Sequence, residues 1–404
     1  MSLLQRRPAI TVFLAFAFTY FLSALLRGVT ATLAPAFTAE FGLNATELGL
    51  LAGGYFLGFA VTQLPLGTWL DRHGPRNVIL AFLLVAVAGC VAFSMATNFS
   101  ALLAARVLCG VGLSACLMAP LTGFRVWLTP AAQLRANSWM LMTGSLGMVA
   151  STLPVQWLVP IAGWRPLFWM LAAALAVAMA AIAWKVPLPT PAAAAKDAPA
   201  RGYAEVWRNP YFRRMSPIGF FVYGGLLAMQ TLWAGPWLVR VAGYPPLEAA
   251  GGLFVINVSM LCTFWTWGLV TPWLAHRGWT AQRMMAVGVP LSFVTLTIII
   301  VAGPAAGAGC WALFCMSSTF VSLAQPSVAM AFPAALSGRA LSAYNLVIFS
   351  GVFVIQWGLG LLIDGFGAAG LGETAAFRAA LAVFLACSVM SYGYFMLAKD
   401  NSRQ

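Results

Sequence analysis

Charge is what this chain has least of. Asp, Glu, Lys and Arg make up 8% of its 404 residues, where a soluble domain carries roughly 25%. With 62% of the residues apolar, no water-facing fold could hide the surface, so a soluble globular protein is excluded. Histidine is scarce as well. The only two, His73 and His276, fall in polar turns, which excludes an imidazole proton relay inside an apolar run. No carboxylate lies deep in such a run: Glu47, Glu248, Asp364 and Glu373 sit near run ends and Asp71 in a turn. Proton coupling through a buried acid is therefore not visible. Nothing has the form of a phosphate-binding glycine loop, a Ser/His/Asp set or metal-ligand spacing. No catalytic residue, no metal site and no cofactor is expected, and an enzyme has no residues to rest on. The seven cysteines form no CxxC pair and all lie in apolar runs, so they read as small packing residues.

What the chain does have is long apolar runs. At about 20 residues per membrane crossing, there is room for roughly twelve. A polar, basic start (Gln5, Arg6, Arg7) leads into a run that continues past Leu26 with no small-residue cleavage site, so it reads as an uncleaved first helix. Helices are expected at 9–37, 46–69, 76–96, 99–128, 135–158, 164–186, 211–241, 247–273, 281–302, 307–335, 339–363 and 374–398. Residues 187–210 contain five prolines and several charges; this reads as a linker. The expected organisation is a six-helix bundle over 1–186, a cytosolic linker over 187–210 and a second bundle over 211–404.

The basic residues give an orientation. The net charge of +13 is scattered rather than striped along one face, which argues against nucleic acid. With the N-terminus in the cytosol, 17 of the 22 Lys and Arg fall in cytosolic segments, as the positive-inside rule requires. Both termini are then expected inside, in a cytoplasmic (inner) membrane.

The two halves repeat. At an offset of 201, Thr30, Pro35, Gly42, Glu47 and Gly67 match Thr231, Pro236, Gly243, Glu248 and Gly268. At 204, Trp69, Leu70, Gly74 and Arg135 match Trp273, Leu274, Gly278 and Arg339. A duplicated unit is the arrangement of transporters whose site lies between two halves.

The chain is organised around the turn Gly67-Thr68-Trp69-Leu70-Asp71-Arg72-His73-Gly74-Pro75-Arg76. Gly74-Pro75 forces a tight reversal, since Gly allows positive φ and Pro fixes its own. The pattern G-x-x-x-D-R-x-G-x-R resembles the loop between helices 2 and 3 of major facilitator superfamily (MFS) transporters. Arg106-Val107-Leu108-Cys109-Gly110-Val111-Gly112 is similar to that family's R-x-x-x-G-x-G motif. Together with the spans and the repeat, the resemblance covers the whole chain. Two departures stand out. Ala275 replaces the acid in the second-half loop, and helix 5, with Gly144, Gly147 and Pro154, lacks the G-P-x-x-G-G run of many drug/proton antiporters.

The resemblance implies an all-α membrane protein of twelve transmembrane helices in two pseudo-symmetric six-helix bundles, which rock around a midplane site. It implies a cytosolic gate of Gly67, Asp71, Arg72, Gly74, Arg76, Arg106, Gly110 and Ser337. There, Asp71 accepts from Arg72 or Arg76 and from the start of helix 11, with Ser337 as that helix's cap. In the helices that line the family's cavity, the candidate substrate contacts are Tyr20, Arg27, Tyr55, Gln156, Gln230, Trp233, Asn257, Gln325, Asn345 and Gln356; Gln63 and Trp265 lie in the same helices. Core packing and interhelical hydrogen bonds account for about half of such residues. Arg27 either snorkels to the outer interface or lines the cavity. Arg106 either bonds neighbouring helices or meets substrate.

The expected function is secondary active transport of a small polar or anionic organic solute, import favoured. An efflux pump for amphipathic compounds and a non-transporting MFS-like receptor or assembly protein are the alternatives. The expected partners are that solute, the lipid bilayer and a coupling ion (H+ or Na+), with no nucleic acid; a monomer is expected.

Overall fold

This computed structural model of the chain describes residues 5–187 and 201–398. Most of the expected linker, 188–200, lies outside the described residues. Its last part is a short helix, Arg201–Arg208, with Val206 buried and Glu205 and Arg208 exposed.

The described residues form helices and the turns between them. In chain order the long apolar ones are α1 (Arg7–Phe41), α2 (Ala45–Val61), α3 (Gln63–Met95), α4 (Phe99–Trp127), α5 (Arg135–Ala150 with Leu153–Ala162), α6 (Trp164–Lys185), α7 (Pro210–Val241), α8 (Pro246–Thr271), α9 (Ala281–Ala305), α10 (Ala308–Met330), α11 (Leu336–Ala368) and α12 (Glu373–Leu397). Ten are long and apolar enough to cross a membrane; α5, bent by 42°, is an eleventh candidate, and α2 is apolar but short. Large apolar side chains stay exposed, Trp184 at 87% and Ile161 at 85%, as lipid-facing positions do. The chain is a multi-pass membrane protein.

Sequence accounts for most breaks. Thr62 interrupts α2 for one residue while keeping right-handed helical angles, so 63–73 prolong that helix. Gly74, at φ 74°, then separates it from the helix that opens at Pro75. The repeat partner of Gly74, Gly278, has φ 79°, and the pair Gly42 and Gly243 has 64° and 74°. The two halves thus reuse the same left-handed turns, which side chains would strain. In α5, Ser151 and Thr152 donate back to Met148 and Val149 carbonyls at 2.7 and 2.6 Å, and Pro154 has no N–H to give. The bend follows.

Two regions differ from expectation. Helix 7 contains three wide π-type turns, Gly219–Tyr223, Met229–Trp233 and Trp237–Val241. They flank Gly224-Gly225 and Pro236, whose weak helix propensity and missing N–H let the ladder slip. The full helix that contains α11 starts at Ala334, two residues ahead of its apolar stretch, after Pro333 at φ −53°, ψ 150°. Ser337 is therefore in the first turn and is not its cap; its hydroxyl donates to the Ala329 carbonyl at 2.8 Å. Proline at the entry set the start earlier than the serine suggested.

The helices pack into two compact units. One falls within Met1–Val29 and Gly54–Ala198, the other within Thr30–Gly53 and Pro199–Gln404. The core of the first includes Phe93, stacked on Phe168 at 4.2 Å and edge-on to Trp164. In the second, Trp237 meets Trp311 edge-on at 5.8 Å.

Candidate functional site

In the first unit the motif arginine is a tie between helices. Arg106 is 1% exposed and donates from Nη1 to the Leu26 carbonyl of α1 at 2.9 Å. Its guanidinium lies over the Tyr55 ring, 4.9 Å from the centroid. Tyr55, fully buried, donates to the Ser23 carbonyl at 3.4 Å. A charge within a membrane-spanning helix is costly, up to about 2.5–3.5 kcal/mol at its centre on insertion scales. One charged hydrogen bond at about 1.5–3 kcal/mol and a desolvated cation–π contact at about 2 offset it. Gly110 completes the junction, since a Cβ there would overlap the Tyr55 carbonyl. Arg106, Tyr55 and Gly110 therefore form one contact joining α1, α2 and α4.

The other first-unit candidates are more loosely placed. Tyr20 is buried with its ring against Gly144, where a Cβ would collide with it. Arg27 and Gln156 are half-buried. Gln63 donates to the Phe59 carbonyl of its own helix at 3.1 Å, so it serves the break at Thr62.

The charged turn departs from expectation. Asp71, Arg72 and His73 are exposed and Gly67 and Gly74 half-buried. Arg76 donates from Nη2 to the Ala183 carbonyl at 2.5 Å, near the end of α6, where a helix offers free carbonyls and negative dipole. Among the described residues, Asp71 makes no ion pair with Arg72 or Arg76.

In the second unit the candidates bond to one another. Gln230 Nε2 donates to Asn257 Oδ1 at 2.8 Å, linking α7 to α8. Asn257 in turn donates to the Leu253 carbonyl at 2.9 Å. Gln356 Nε2 donates to Thr231 Oγ1 at 2.9 Å, and the Trp233 indole donates to the Gln356 carbonyl at 3.2 Å, both joining α7 to α11. Gln356 Oε1 is buried without a hydrogen-bond partner among the described residues. A second group joins α7, α10 and α11: Tyr223 donates to Gln325 Oε1 at 3.4 Å and Gln325 Nε2 to Asn345 Oδ1 at 2.5 Å. Trp265, at 67% exposed, stands apart from both groups. Sequence reasoning missed Tyr223 and Thr231; the wide turns that hold them carry no local signal beyond neighbouring Gly and Pro.

The family model of the Major Facilitator Superfamily matches residues 16–356. The chain belongs to that family. Among curated relatives, it is similar to the 4-hydroxybenzoate transporter PcaK of Acinetobacter baylyi, 28% identical over 34% of this chain and 30% of the relative. It is similar to the probable sulfoacetate transporter SauU of Cupriavidus necator, 25% identical over 56% of each. A putative multidrug resistance protein, MdtD of Cronobacter sakazakii, is 28% identical over 42% of this chain and 36% of its own length. The chain thus spans from about a third to just over half of these three relatives. The fold matches the crystal structure of a D-xylose-proton symporter with a TM-score of 0.77 at 12% identity, covering 98% of this chain and 99% of that one.

Proposed function

We propose that this protein is a secondary active transporter that imports a small organic anion by alternating access. The observation that carries the reading is Arg27. It is a half-buried arginine within the first apolar run, a position where charge is costly and generally serves function. Guanidinium grips a carboxylate or sulfonate by two points. The amide groups of Gln230, Asn257, Gln325, Asn345 and Gln356 are neutral donors and acceptors, and Gln356 Oε1 has no hydrogen-bond partner among the described residues. Family membership supports transport. Two of the relatives are named for 4-hydroxybenzoate and sulfoacetate, both anions at neutral pH. The driving gradient is of H+ or Na+, and the protein works as a monomer.

The termini and the turn at Asp71 lie on the cytosolic side of an inner membrane. A cysteine replacing His73 should then react with an impermeant reagent only from inside, and one replacing Asn98 only from outside; the reverse result removes the orientation. Efflux of amphipathic compounds is the second reading, favoured by the similarity to a putative multidrug resistance protein. Counterflow in proteoliposomes separates them. Organic acids should exchange and compete, organic cations should not; better competition by cations would overturn the anion reading.

A further inference from the structure

The first turn of α2 is held by a residue more than 300 positions away. Asn44 and Glu47 cap each other, Asn44 Oδ1 accepting from the Glu47 N–H at 2.8 Å and Glu47 Oε2 from the Asn44 N–H at 3.1 Å. That leaves the N–H groups of Ala45 and Thr46 without partners in their own helix. Asp364 takes both: Oδ1 accepts from Ala45 at 3.2 Å and Oδ2 from Thr46 at 2.7 Å. All four residues, with Asp364, fall within the second compact unit.

Asp364 has no reason to be an acid for its own helix. It sits four residues before the end of α11 at Ala368, where the helix dipole disfavours negative charge. The same charge at the start of α2 is favoured, and its two oxygens each meet a backbone donor. The helices are shaped for this contact. Cβ atoms at Gly360 and Gly49 would overlap the Ala45 and Gln356 carbonyls, and one at Gly53 would press on Phe353. The partners run in opposite order, 45, 49 and 53 against 364, 356 and 353, so the segments lie antiparallel and close.

We propose that Asp364 is an outer latch, a carboxylate on α11 that holds the start of α2 while the transporter is closed on that side and lets go when it opens. The stabilisation is specific to one state, because release returns Asp364 to the unfavourable end of its own helix and frees two N–H groups. The latch is the counterpart of Asp71: each acid lies near the C-terminal end of one of these two helices, at opposite ends of α2. It also tightens the chain around Gln356, whose carbonyl faces Gly49 and whose side chain bonds Thr231. The proposal rests on the alternating-access reading above.

The test is a distance distribution in the full-length protein, reconstituted in nanodiscs, between probes on unnatural amino acids at Ala39 and Leu371, both exposed. The native cysteines stay in place. Asp364→Asn keeps size and removes charge; Gly360→Ala inserts a methyl into the same contact. Each should move the population about tenfold toward the longer distance, while Glu373→Gln, which removes the neighbouring Arg240 ion pair, should not. Two distances whose ratio ignores Asp364→Asn and Gly360→Ala would overturn the latch and leave transport standing. A single distance in every variant would overturn the latch and the rocking motion beneath it.

Discussion

The two compact units share one kind of tie and differ in what is added to it. In the first, the named bonds run from side chain to backbone: Arg106 to Leu26, Tyr55 to Ser23, Arg76 to Ala183. In the second, ties to backbone carbonyls recur, Trp233 to Gln356 and Asn257 to Leu253, and side-chain pairs are added: Gln230 to Asn257, Gln356 to Thr231, Gln325 to Asn345. A bond to a backbone carbonyl is fixed by helix position, and breaking it leaves a buried acceptor orphaned. A bond between two amides can be exchanged for one to a ligand without moving a helix. The second unit thus adds exchangeable neutral donors and acceptors, whereas the anion reading rests on the charge of Arg27 in the first.

Removing the charge tests that division most severely. Arg27→Gln should lose most transport, at least about tenfold, while Arg27→Lys keeps a measurable part; counterflow reads both. Normal exchange by Arg27→Gln would make Arg27 an interface anchor. Next in size, Arg106→Lys keeps charge but loses the planar fork. It should lower stability by about 1–3 kcal/mol, seen as lower thermal unfolding in detergent, with affinity nearly kept. Full stability with lost binding would place Arg106 at the substrate instead. Smaller again, Gln356→Leu and Gln325→Leu should each weaken solute binding about five- to tenfold, measured by calorimetry, and shift selectivity among acids of one charge. If they change stability alone, the second unit's amides are packing. Least affected should be Asp71→Asn: exchange slows a few-fold, with equilibrium binding unchanged. Unaltered exchange at normal expression would mean that the turn serves orientation only.

The fold was largely legible because its signals are local and strong. Apolar runs of helical length, the Gly74 turn and its partner at Gly278, and the motif arginine can all be read without knowing any contact. Helix starts were less secure: Pro333 opened α11 ahead of Ser337, where an early proline outweighed a later serine. The site was legible as a set of residue types but not as partners. Nothing near Arg76 announces Ala183, and nothing near Asp364 announces the start of α2, because those choices are made where distant helices meet. The wide turns of helix 7 have no local signal beyond the neighbouring Gly224-Gly225 and Gly235-Pro236. What slips there is hydrogen-bond register, to which side-chain pattern is nearly blind.

The central claim is that negative charge on the solute is what the protein reads. The most direct measurement takes the organic acid that exchanges fastest in counterflow and compares it with its own carboxamide, equal in size and neutral at every working pH. The acid should compete at least about tenfold better, and Arg27→Gln should erase most of that preference. An amide that competes as well as the acid, in wild type and variant alike, would contradict the account.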